Sequence, residues 1–311
     1  MTGESRPVVA VLGATGSIGT QVAAAFEATG HPVLAVARKH LPPIAGRECV
    51  GLDLSATSSP EIAEILTRAN ARLVVNATGG WLASLEENQL AHGELVERLL
   101  GAAALMPAPP RFVQIGSIHE YGPVPYGTAI DESYEPRPQT PYGVSKLAGS
   151  NAVLRATRAG YVQGVVLRAV NVFGPGAAGA SFLGSVVRRL RDLPAGDRLR
   201  LTVSSAERDF VDVRDLADAV VRAAESTVAG RTVNIGRGEA LDMRRILTLL
   251  IAEAGRDSDV LELAGGPVIS KGGDWTRANV RLANRLLGWA PKISVRQSLR
   301  DMWEATALPV R

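Results

Sequence analysis

Apolar residues occur along this chain in short continuous runs, separated by longer segments in which apolar positions recur with helical spacing. Continuous apolar runs of this length are typical of strands that are buried on both faces of a parallel sheet. The runs lie at Val8–Leu12, Val33–Ala37, 49–52, 73–75, 111–115, 162–167 and 232–235. Their alternation with helical segments predicts an α/β fold with a Rossmann-like, doubly wound parallel sheet.

The helical segments are expected between these runs, and Asp215 is the predicted N-cap of the last one. The first helical segment follows the first apolar run, and the later helical segments lie at 88–105, 142–154, 181–191 and 216–225. Beyond the sixth run the alternation becomes less regular. We therefore expect residues 1–173, with a return segment at about 205–235, to form a dinucleotide-binding domain. Residues 174–204 and 236–311 are expected to form a smaller C-terminal substrate-binding lobe.

A glycine-rich turn separates the first apolar run from the first helical segment. It places Gly13, Gly16 and Gly19 at three-residue intervals. In a strand–turn–helix unit the first glycine permits a tight turn, the second lets the backbone approach a pyrophosphate, and the third lets the helix pack closely on the strand. The N–H groups at the start of the helix would then face the phosphates. A left-handed turn that binds no ligand is the alternative.

The end of the second run bears on the choice between NAD and NADP. NAD enzymes usually have an acidic residue there for the ribose 2′-hydroxyl, whereas an arginine accommodates a 2′-phosphate. Ala37 has no carboxylate and Arg38 follows it, so we expect NADP (NADPH) as the cofactor in preference to NAD. A solvated basic run on the surface is the alternative explanation of Arg38.

Other residues at the strand ends complete the predicted dinucleotide site. The Asp53 carboxylate, after the third run, could reach the adenine amino group, although a turn or helix-cap role is the alternative. Small residues after the fourth run would let a dinucleotide lie across the strand ends. The residues expected to bind the cofactor are Gly13, Thr15, Gly16, Ser17, Ile18, Gly19, Arg38, Asp53, Leu54, Ala77, Tyr142 and Lys146.

Ser117, Tyr142 and Lys146 are the candidate catalytic residues. Ser117 follows the fifth run, whereas Tyr142 and Lys146 stand four positions apart in a helical segment, so that both can point into one cleft. A tyrosine beside a fixed positive charge is expected to ionise more easily, which would make Tyr142 a proton donor to a carbonyl. Ser117 would hydrogen-bond the same oxygen. A half-buried ring and a solvated charge are the alternative explanation.

The composition limits the other possibilities. Of 311 residues, 46% are hydrophobic and 21% are charged, as in an ordinary globular chain of one large or two modest domains. Cys49 is the single cysteine and the four histidines lack metal-ligand spacing, so we expect neither an internal disulfide nor a metal site. The net charge of +3 does not indicate nucleic-acid binding. No apolar run approaches the length of a membrane span and residues 1–7 are polar, so we expect a cytoplasmic protein.

Taken in order, several segments of the chain resemble the extended short-chain dehydrogenase/reductase family, in the branch that acts on nucleotide sugars. The resemblance covers nearly the whole chain. The segments that carry it are Gly13-x-x-Gly16-x-x-Gly19, Ser117 with Tyr142-x-x-x-Lys146, Asp131-Glu132 before Pro141, Asn171-Val172-Phe173-Gly174-Pro175, Arg208-Asp209-Phe210-Val211 and Leu287-Gly288-Trp289-x-Pro291.

This resemblance implies roles for individual residues. Ser117, Tyr142 and Lys146 match the family's catalytic triad, and Lys146 would also bind the nicotinamide ribose. Asn88 matches the asparagine that steadies the lysine through water. Because family members commonly pair through the helices that begin near Asn88 and Tyr142, a homodimer is expected.

The resemblance also implies a substrate site for a nucleotide sugar. The residues that match its contacts are His119, Asn171, Arg208 and Arg277. The last three fall where family members contact the sugar's diphosphate, and an arginine fork suits phosphate oxygens. An ordinary surface ion pair is the alternative for each arginine.

The positions after Ser117 bear on the reaction. Dehydratases that resemble this chain carry an Asp-Glu pair there, whereas this chain has Ile118 and His119, and isoleucine cannot donate a proton. A two-base epimerase-reductase of the family has a histidine where this chain has Gly176, so a two-base epimerisation is disfavoured and a one-base epimerisation stays open. We expect His119 to contact a substrate hydroxyl or to be a packed ring, rather than to act as a base.

The expected function is therefore an NADPH-dependent reductase of a nucleotide-linked keto sugar, in particular an NDP-4-keto-6-deoxyhexose 4-ketoreductase of deoxysugar biosynthesis. An exchangeable NADPH supplies reductions, whereas a 4-epimerase holds its NAD tightly. The alternatives are an NAD-dependent nucleotide-sugar 4-epimerase, a reductase of another carbonyl substrate and a non-catalytic NADP-sensing protein. The complete set of Ser117, Tyr142, Lys146 and Asn88 argues against the sensing protein.

Overall fold

A computed structural model describes residues 6–38, 47–177, 181–194, 196–263 and 273–306. The strands in this part of the chain are β1 (Val8–Leu12), β2 (Val33–Ala37), β3 (Glu48–Gly51), β4 (Ala71–Asn76), β5 (Arg111–Ser117), β6 (Gln163–Ala169), β7 (Asn171–Phe173), β8 (Leu199–Leu201), β9 (Glu207–Asp212), β10 (Arg231–Ile235), β11 (Ala240–Asp242), β12 (Leu261–Leu263) and β13 (Trp275–Thr276).

Helices connect these strands and cover the central sheet. They are α1 (Ser17–Ala28), α2 (Ser59–Arg68), α3 (Leu85–Gln89), α4 (Leu95–Ala104), α5 (Pro141–Arg158), α6 (Phe182–Arg191), α7 (Val213–Glu225), α8 (Met243–Glu253), α9 (Arg281–Leu287) and α10 (Val295–Ala305). A π-helical turn, Leu90–Glu94, joins α3 to α4, and short 3-10 helices lie at Ile118–Tyr121 and Ser258–Val260. None of the helices in the described ranges is long and apolar enough to cross a membrane.

Seven parallel strands form the central sheet in the order β10-β6-β5-β4-β1-β2-β3. The chain moves outward from β1 in both directions, so the strand order reverses between β1 and β4. Leu12 pairs with Val36 on one side and with Asn76 on the other, so the turns that follow these strands start at one edge. In such sheets ligands bind outside the carboxyl ends of the strands at the reversal. The predicted doubly wound α/β fold is confirmed.

Alternating strand residues point to opposite faces of the sheet and bury two apolar layers. Val9 and Val11 of β1 pack towards α1 and α7, where Phe26 is fully buried. Ala10 and Leu12 pack on the other side towards α2, α4 and α5. Because both faces are covered, the continuous apolar runs in the sequence correspond to strands of the sheet.

A third apolar cluster lies apart from the central sheet. It joins α6, α8 and α10 through side chains such as Leu190, Leu250 and Leu299, all completely buried. Strand β9 pairs with β7, β11 and β13 and borders this cluster. Helix α9 and Trp289 were assigned to the second lobe, but they pack in the layer on the α1–α7 face of the central sheet. There Trp289 Nε1 donates to the Asp215 carbonyl at 2.9 Å.

Two helix boundaries differ from the sequence-based expectation. Helix α7 begins at Val213, and its N-cap is Asp212, whose carboxylate accepts the Arg214 N–H at 2.8 Å. The prediction of Asp215 as the N-cap was wrong, because its carboxylate accepts the N–H groups of Lys292 and Ile293 instead. The helix predicted over 88–105 starts at α3 and is widened by the π-helical turn, which apolar spacing does not reveal.

Other elements were not anticipated. Helix α2 carries a capping box in which Ser58 accepts the Glu61 N–H and the Glu61 carboxylate accepts the Ser58 N–H, a signal that the sequence contains. The strands β7, β8, β11, β12 and β13 are only two or three residues long, too short to produce an apolar run.

Candidate active site

The glycine-rich turn lies between β1 and α1 at the reversal of the strand order. Gly13 has a φ of +81°, and a Cβ there would lie 3.1 Å from the Ala77 carbonyl carbon. A Cβ on Gly19 would collide with the Gly13 carbonyl oxygen, so α1 packs directly on the turn. Gly16 is the N-cap of α1, and no side chain caps the first N–H groups of this helix. Thr15 is exposed in the turn.

This geometry fits a dinucleotide pyrophosphate. Ser17 and Ile18 begin α1 and are partly exposed, so their N–H groups belong to the uncapped end that faces the strand edge. A phosphate would meet free N–H donors and the positive end of the helix dipole there. The turn is therefore suited to hold the phosphates of NAD(P).

The residues expected near the adenosine have different surroundings. Arg38 is exposed directly after β2. Hydrogen bonds from Ser55 hold the pKa of Asp53 below its usual range, and the nearby charge of Arg38 lowers it further. Asp53 Oδ1 accepts the N–H and the hydroxyl of Ser55 at 3.0 and 2.5 Å, so the carboxylate has the turn role that was the alternative. The Leu54 side chain is buried in the core, and contact of this residue with a cofactor remains a prediction.

Ser117 lies where β5 ends and the 3-10 helix begins. Its Oγ accepts the His119 N–H at 3.2 Å, and its own N–H donates to the Glu120 carboxylate at 2.8 Å. The Ser117 hydroxyl lies close enough to the Tyr142 phenol to lower its pKa. The structure thus brings together two of the three predicted catalytic groups.

Tyr142 and Lys146 lie one turn apart on α5. Thr140 caps this helix by accepting the Gly143 N–H at 3.1 Å, and Pro141 occupies its first turn. Lys146 is buried, and its Nζ donates to the Ile115 carbonyl at 2.7 Å. This bond anchors the end of the lysine side chain to β5, next to Ser117.

The pKa values correct one expectation. Burial raises the pKa of Tyr142 to about 12; the nearby Ser117 hydroxyl opposes this rise and the charge of Glu120 adds to it. Burial lowers the pKa of Lys146 to about 8, and the Glu120 charge opposes that change. The expectation that Lys146 makes Tyr142 ionise easily was therefore wrong for this structure, because burial is the largest influence on the phenol and raises its pKa. The phenol stays protonated at neutral pH, which is the state that a proton donor requires.

Asn88 is buried on α3, whose contacts with α5 place it near the lysine helix. Its Nδ2 donates to the carbonyls of Leu82 and Ser84 at 3.1 and 2.6 Å. Within the described ranges, no partner lies within hydrogen-bonding distance of its buried Oδ1. A buried acceptor of this kind is usually satisfied by ordered water. The link from Asn88 through water to Lys146 remains a prediction.

Three of the four residues expected at the substrate lie together. Asn171 lies beside His119, and its Nδ2 donates to the Asp209 carbonyl at 3.2 Å. Burial lowers the pKa of His119 to about 4, and the charge of Arg208 lowers it further. His119 is therefore neutral at physiological pH, in the neighbourhood of a buried guanidinium.

Arg208 and Arg277 come from the paired strands β9 and β13. Arg208 is buried, and it donates to the Gly273 carbonyl and, at 3.4 Å, to the Thr276 hydroxyl. Arg277 follows β13 directly, and its Nη2 donates to the Gly127 carbonyl at 2.9 Å. Its guanidinium lies 5.7 Å from the Trp275 ring centre. Contact of either arginine with a diphosphate remains a prediction.

Sequence reasoning missed three residues next to the triad. The Trp81 ring stacks on Tyr142 with centroids 4.2 Å apart, and the buried His92 meets the Tyr142 ring edge-on at 5.4 Å. Glu120 is fully buried, accepts the Ser150 hydroxyl at 2.9 Å and forms an ion pair with Arg168 at 2.6 Å.

Signals for two of them exist in the sequence. His92 stands four positions after Asn88, where a helix would place both side chains on one face. Trp81 follows the two glycines after β4, in the stretch assigned to the cofactor. Within the described ranges, no group of three His, Cys, Asp or Glu side chains is arranged so that it could hold a metal ion.

Residues 9–236 match the model of the NAD dependent epimerase/dehydratase family. The chain belongs to this family. It is an NAD(P)-dependent oxidoreductase of the extended short-chain dehydrogenase/reductase type, as the sequence motifs implied.

Two curated relatives and one crystal structure illustrate the similarity. The chain is 40% identical over 301 residues to the dTDP-6-deoxy-L-talose 4-dehydrogenase (NAD(P)(+)) of Kitasatospora kifunensis, covering 96% of this chain and 95% of the relative. It is 30% identical over 207 residues to the GDP-6-deoxy-D-mannose reductase of Pseudomonas aeruginosa (strain PAO1), and this match covers 62% of this chain and 66% of the relative. The Bacillus cereus UDP-glucuronic acid 4-epimerase, solved with UDP-glucuronic acid and NAD, superposes with a TM-score of 0.81 at 20% identity, covering 96% of this chain and 99% of that one. This last likeness shows the fold alone.

Proposed function

We propose that this protein is an NADPH-dependent reductase of a nucleotide-linked keto sugar, specifically of an NDP-4-keto-6-deoxyhexose at its 4-keto group. The observation that carries the proposal is the convergence of three groups: the Tyr142 phenol, which is protonated at neutral pH, the Ser117 hydroxyl beside it, and the buried Lys146 one helical turn away. Similarity over nearly the whole chain to a dTDP-6-deoxy-L-talose 4-dehydrogenase supports the choice of substrate and carbon.

In this proposal the bound nicotinamide supplies a hydride to the keto carbon. Tyr142 donates its phenolic proton to the carbonyl oxygen as negative charge develops there, which completes the alcohol. The Ser117 hydroxyl would stabilise the same oxygen, since it lies beside the Tyr142 phenol. Solvent returns the proton to Tyr142, and the high pKa of this phenol favours its recovery.

Lys146 would provide the positive charge beside the phenolate that forms during the step. A cation next to a developing anion favours the charged form. Its bond to the Ile115 carbonyl holds the ammonium in place before the reaction, so little reorganisation is required. Asn88 would support it through a water bound to its free Oδ1.

The cofactor preference rests on Arg38. It is exposed at the end of β2, where a 2′-phosphate would lie, and no carboxylate occupies the position of Ala37. The dTDP-6-deoxy-L-talose 4-dehydrogenase, which is similar over nearly its full length, is named for both NAD and NADP, so the preference is a property to be measured.

The substrate half of the proposal rests on Arg208, Asn171 and His119. A buried guanidinium is suited to a diphosphate, because the charge is desolvated and its fork is fixed. His119 is neutral, so it would contact a sugar hydroxyl rather than act as a second base. With Ile118 in place of an acid, dehydration of the sugar is not supported.

We also propose a homodimer through the helices that precede and include α5. Leu90 and Val144 are exposed on these helices, and a groove between them is lined by residues such as Gly93, Ala148 and Asn151. Light scattering of the purified chain measures its mass directly. A dimer that Ala148→Glu converts to a monomer supports this surface, whereas a monomeric native chain contradicts it.

The decisive experiment follows NADPH oxidation with dTDP-, GDP- and UDP-linked 4-keto-6-deoxyhexoses. We expect turnover with one of them and a loss on the order of 10²- to 10⁴-fold in Tyr142→Phe, because this substitution removes the proton donor. NADPH should still bind to the variant. Equal turnover in the variant would remove Tyr142 from the mechanism. Retention of NAD through purification, with interconversion of 4-epimers, would instead establish the epimerase.

A further inference from the structure

His92 is a buried histidine beside the proposed catalytic groups for which the reaction has no direct use. It lies in the π-helical turn Leu90–Glu94, and it is 2% exposed. Such turns widen a helix by one residue and are frequent at functional sites. The widened turn is bounded by α3 and α4, both regular helices, so the irregularity is confined to the segment that carries His92.

The hydrogen bond of His92 defines which nitrogen carries its proton. Its Nε2 lies 2.9 Å from the Gly80 carbonyl oxygen, which can only accept. Burial lowers the pKa of His92 to about 4, and the charge of Lys146 lowers it further, so the ring is neutral at physiological pH. His92 therefore donates from Nε2, and one donor connects the helix to the loop that follows β4.

That loop continues directly into the aromatic side chain that covers the phenol. Gly80 precedes Trp81, whose ring lies 4.2 Å from that of Tyr142 with an interplanar angle of 20°. Gly79 adopts a φ of +127°, and a Cβ there would lie 2.7 Å from His92 Cε1 and 3.7 Å from Lys146 Nζ. The loop thus packs against the imidazole without room for a side chain.

The Tyr142 ring is consequently held on two sides. Trp81 stacks on its face, and the His92 ring meets it edge-on at 5.4 Å and 89°. Stacked and edge-on contacts each restrict how a ring can tilt. The hydrogen bond from His92 to the Gly80 carbonyl couples these two ring contacts, because Gly80 is directly followed by Trp81. A shift of His92 would therefore also shift Trp81.

We propose that His92 is a positioning residue, which holds the Gly79–Trp81 segment over Tyr142 and thereby fixes the phenol towards Ser117. Its effect on the reaction passes through Trp81 and Tyr142, since the Nε2 proton is used by the Gly80 carbonyl. The kinetic part of this inference rests on the proposed reductase function, whereas the placement of Trp81 can be measured without any substrate.

The first test measures the exposure of Trp81 in the full-length protein by acrylamide quenching. His92→Gln keeps a donor near the position of Nε2, whereas His92→Leu has similar size and no donor. Trp81→Phe gives the contribution of the other tryptophans, which is subtracted. We expect the Stern–Volmer constant of Trp81 to rise in His92→Leu and to remain near the native value in His92→Gln. An unchanged constant in a folded His92→Leu protein would overturn the proposal.

His92→Asn serves if the leucine variant does not fold, because asparagine is polar but too short to reach Gly80. The same rise in Trp81 quenching is expected for it. Thermal unfolding of each variant identifies general loss of structure, which would increase quenching of the buried Trp289 as well. Quenching that rises for all tryptophans together would assign His92 a general structural role and contradict the proposal.

The second test is kinetic. A catalytic group that is displaced by about an ångström can lose on the order of a hundredfold in rate, so we expect kcat of His92→Leu to fall and His92→Gln to restore most of it. The fall should be smaller when Trp81 is already alanine, since only the direct edge-on contact of His92 with Tyr142 is then left to lose. Additive losses in the double variant would overturn the link through Trp81. If no sugar is reduced by the native chain, the reductase function fails while the quenching result still stands.

Discussion

The two halves of the candidate site are built in different ways. The cofactor half, comprising the glycine turn and Arg38, is defined mainly by backbone that approaches too closely to admit side chains at Gly13 and Gly19. The substrate half, comprising His119, Asn171 and Arg208, is defined by side chains that β5, β7 and β9 bring together. The shape of a backbone turn is determined by residues that are adjacent in the sequence. The position of a side-chain cluster depends instead on how strands that are distant in the sequence pair.

The largest effect is expected in the cofactor half, from Gly19→Ala. Because the added Cβ would meet the Gly13 carbonyl, α1 or the turn must shift, at a cost of about 1–3 kcal/mol in unfolding free energy. NADPH affinity should fall with it. Denaturant unfolding and NADPH titration measure both quantities. Ala24→Ser, at an exposed position of the same helix, is the control. Unaltered NADPH binding in Gly19→Ala would show that backbone contact does not define this half.

The substrate half should respond to the loss of a single charge. Arg208→Ala removes a charged hydrogen-bond donor worth about 1.5–3 kcal/mol, so KM for the nucleotide sugar should rise about ten- to a hundredfold. Affinity for NADPH should not change, because Arg208 is remote from the glycine turn in the proposed complex. Initial-rate kinetics measure the first and titration the second. The exposed Arg200, paired with Glu262, supplies a neutral control as Arg200→Ala. A KM that stays constant would leave the diphosphate site unlocated.

Arg38→Ala tests the one side chain that contributes to the cofactor half. Since Arg38 is exposed, solvent screens its charge, and we expect NADPH affinity to fall roughly tenfold with little change for NADH. Titration with both dinucleotides measures the ratio of the two affinities. The exposed Arg68, which pairs with Glu64 within its helix, provides the matched control as Arg68→Ala. Equal losses for NADPH and NADH would contradict the assignment of a 2′-phosphate site.

The smallest effect is a gradual dependence on pH. Lys146 has a pKa of about 8, so its ammonium persists below that value and is lost above it. The rate of reduction, measured as kcat/KM, should therefore be level below about pH 8 and should decline above it, by up to about tenfold per unit for the loss of one proton. Tyr142, with a pKa of about 12, stays protonated throughout this range. His92 and His119, both at about 4, add no change between pH 6 and 8. A level profile to pH 10 would show that the ammonium is not required.

The contrast between local backbone shape and side chains brought together by the fold also explains what could be predicted from the sequence. The doubly wound sheet and the glycine turn were found from apolar runs and local spacing, and the strand–turn–helix unit has the expected geometry. Lys146 and Tyr142 were placed on one helix, but burial reversed the expected pKa shift of the phenol, and burial depends on the whole fold. The spacing of His92 from Asn88 and the position of Trp81 after two glycines point to these residues, but the π-helical turn and the stacking on Tyr142 result from packing between segments.

The buried pair of Glu120 and Arg168 has a consequence for how such sequences diverge. Each side chain is almost completely shielded from solvent, so the loss of either partner leaves the other charge buried without a counter-charge. This would lower the free energy of unfolding by about 3–5 kcal/mol. Glu120 also accepts the Ser117 N–H at 2.8 Å, so the uncompensated charge would lie close to a proposed catalytic residue. The two positions are therefore expected to covary: homologues in which a neutral residue replaces one member should also replace the other.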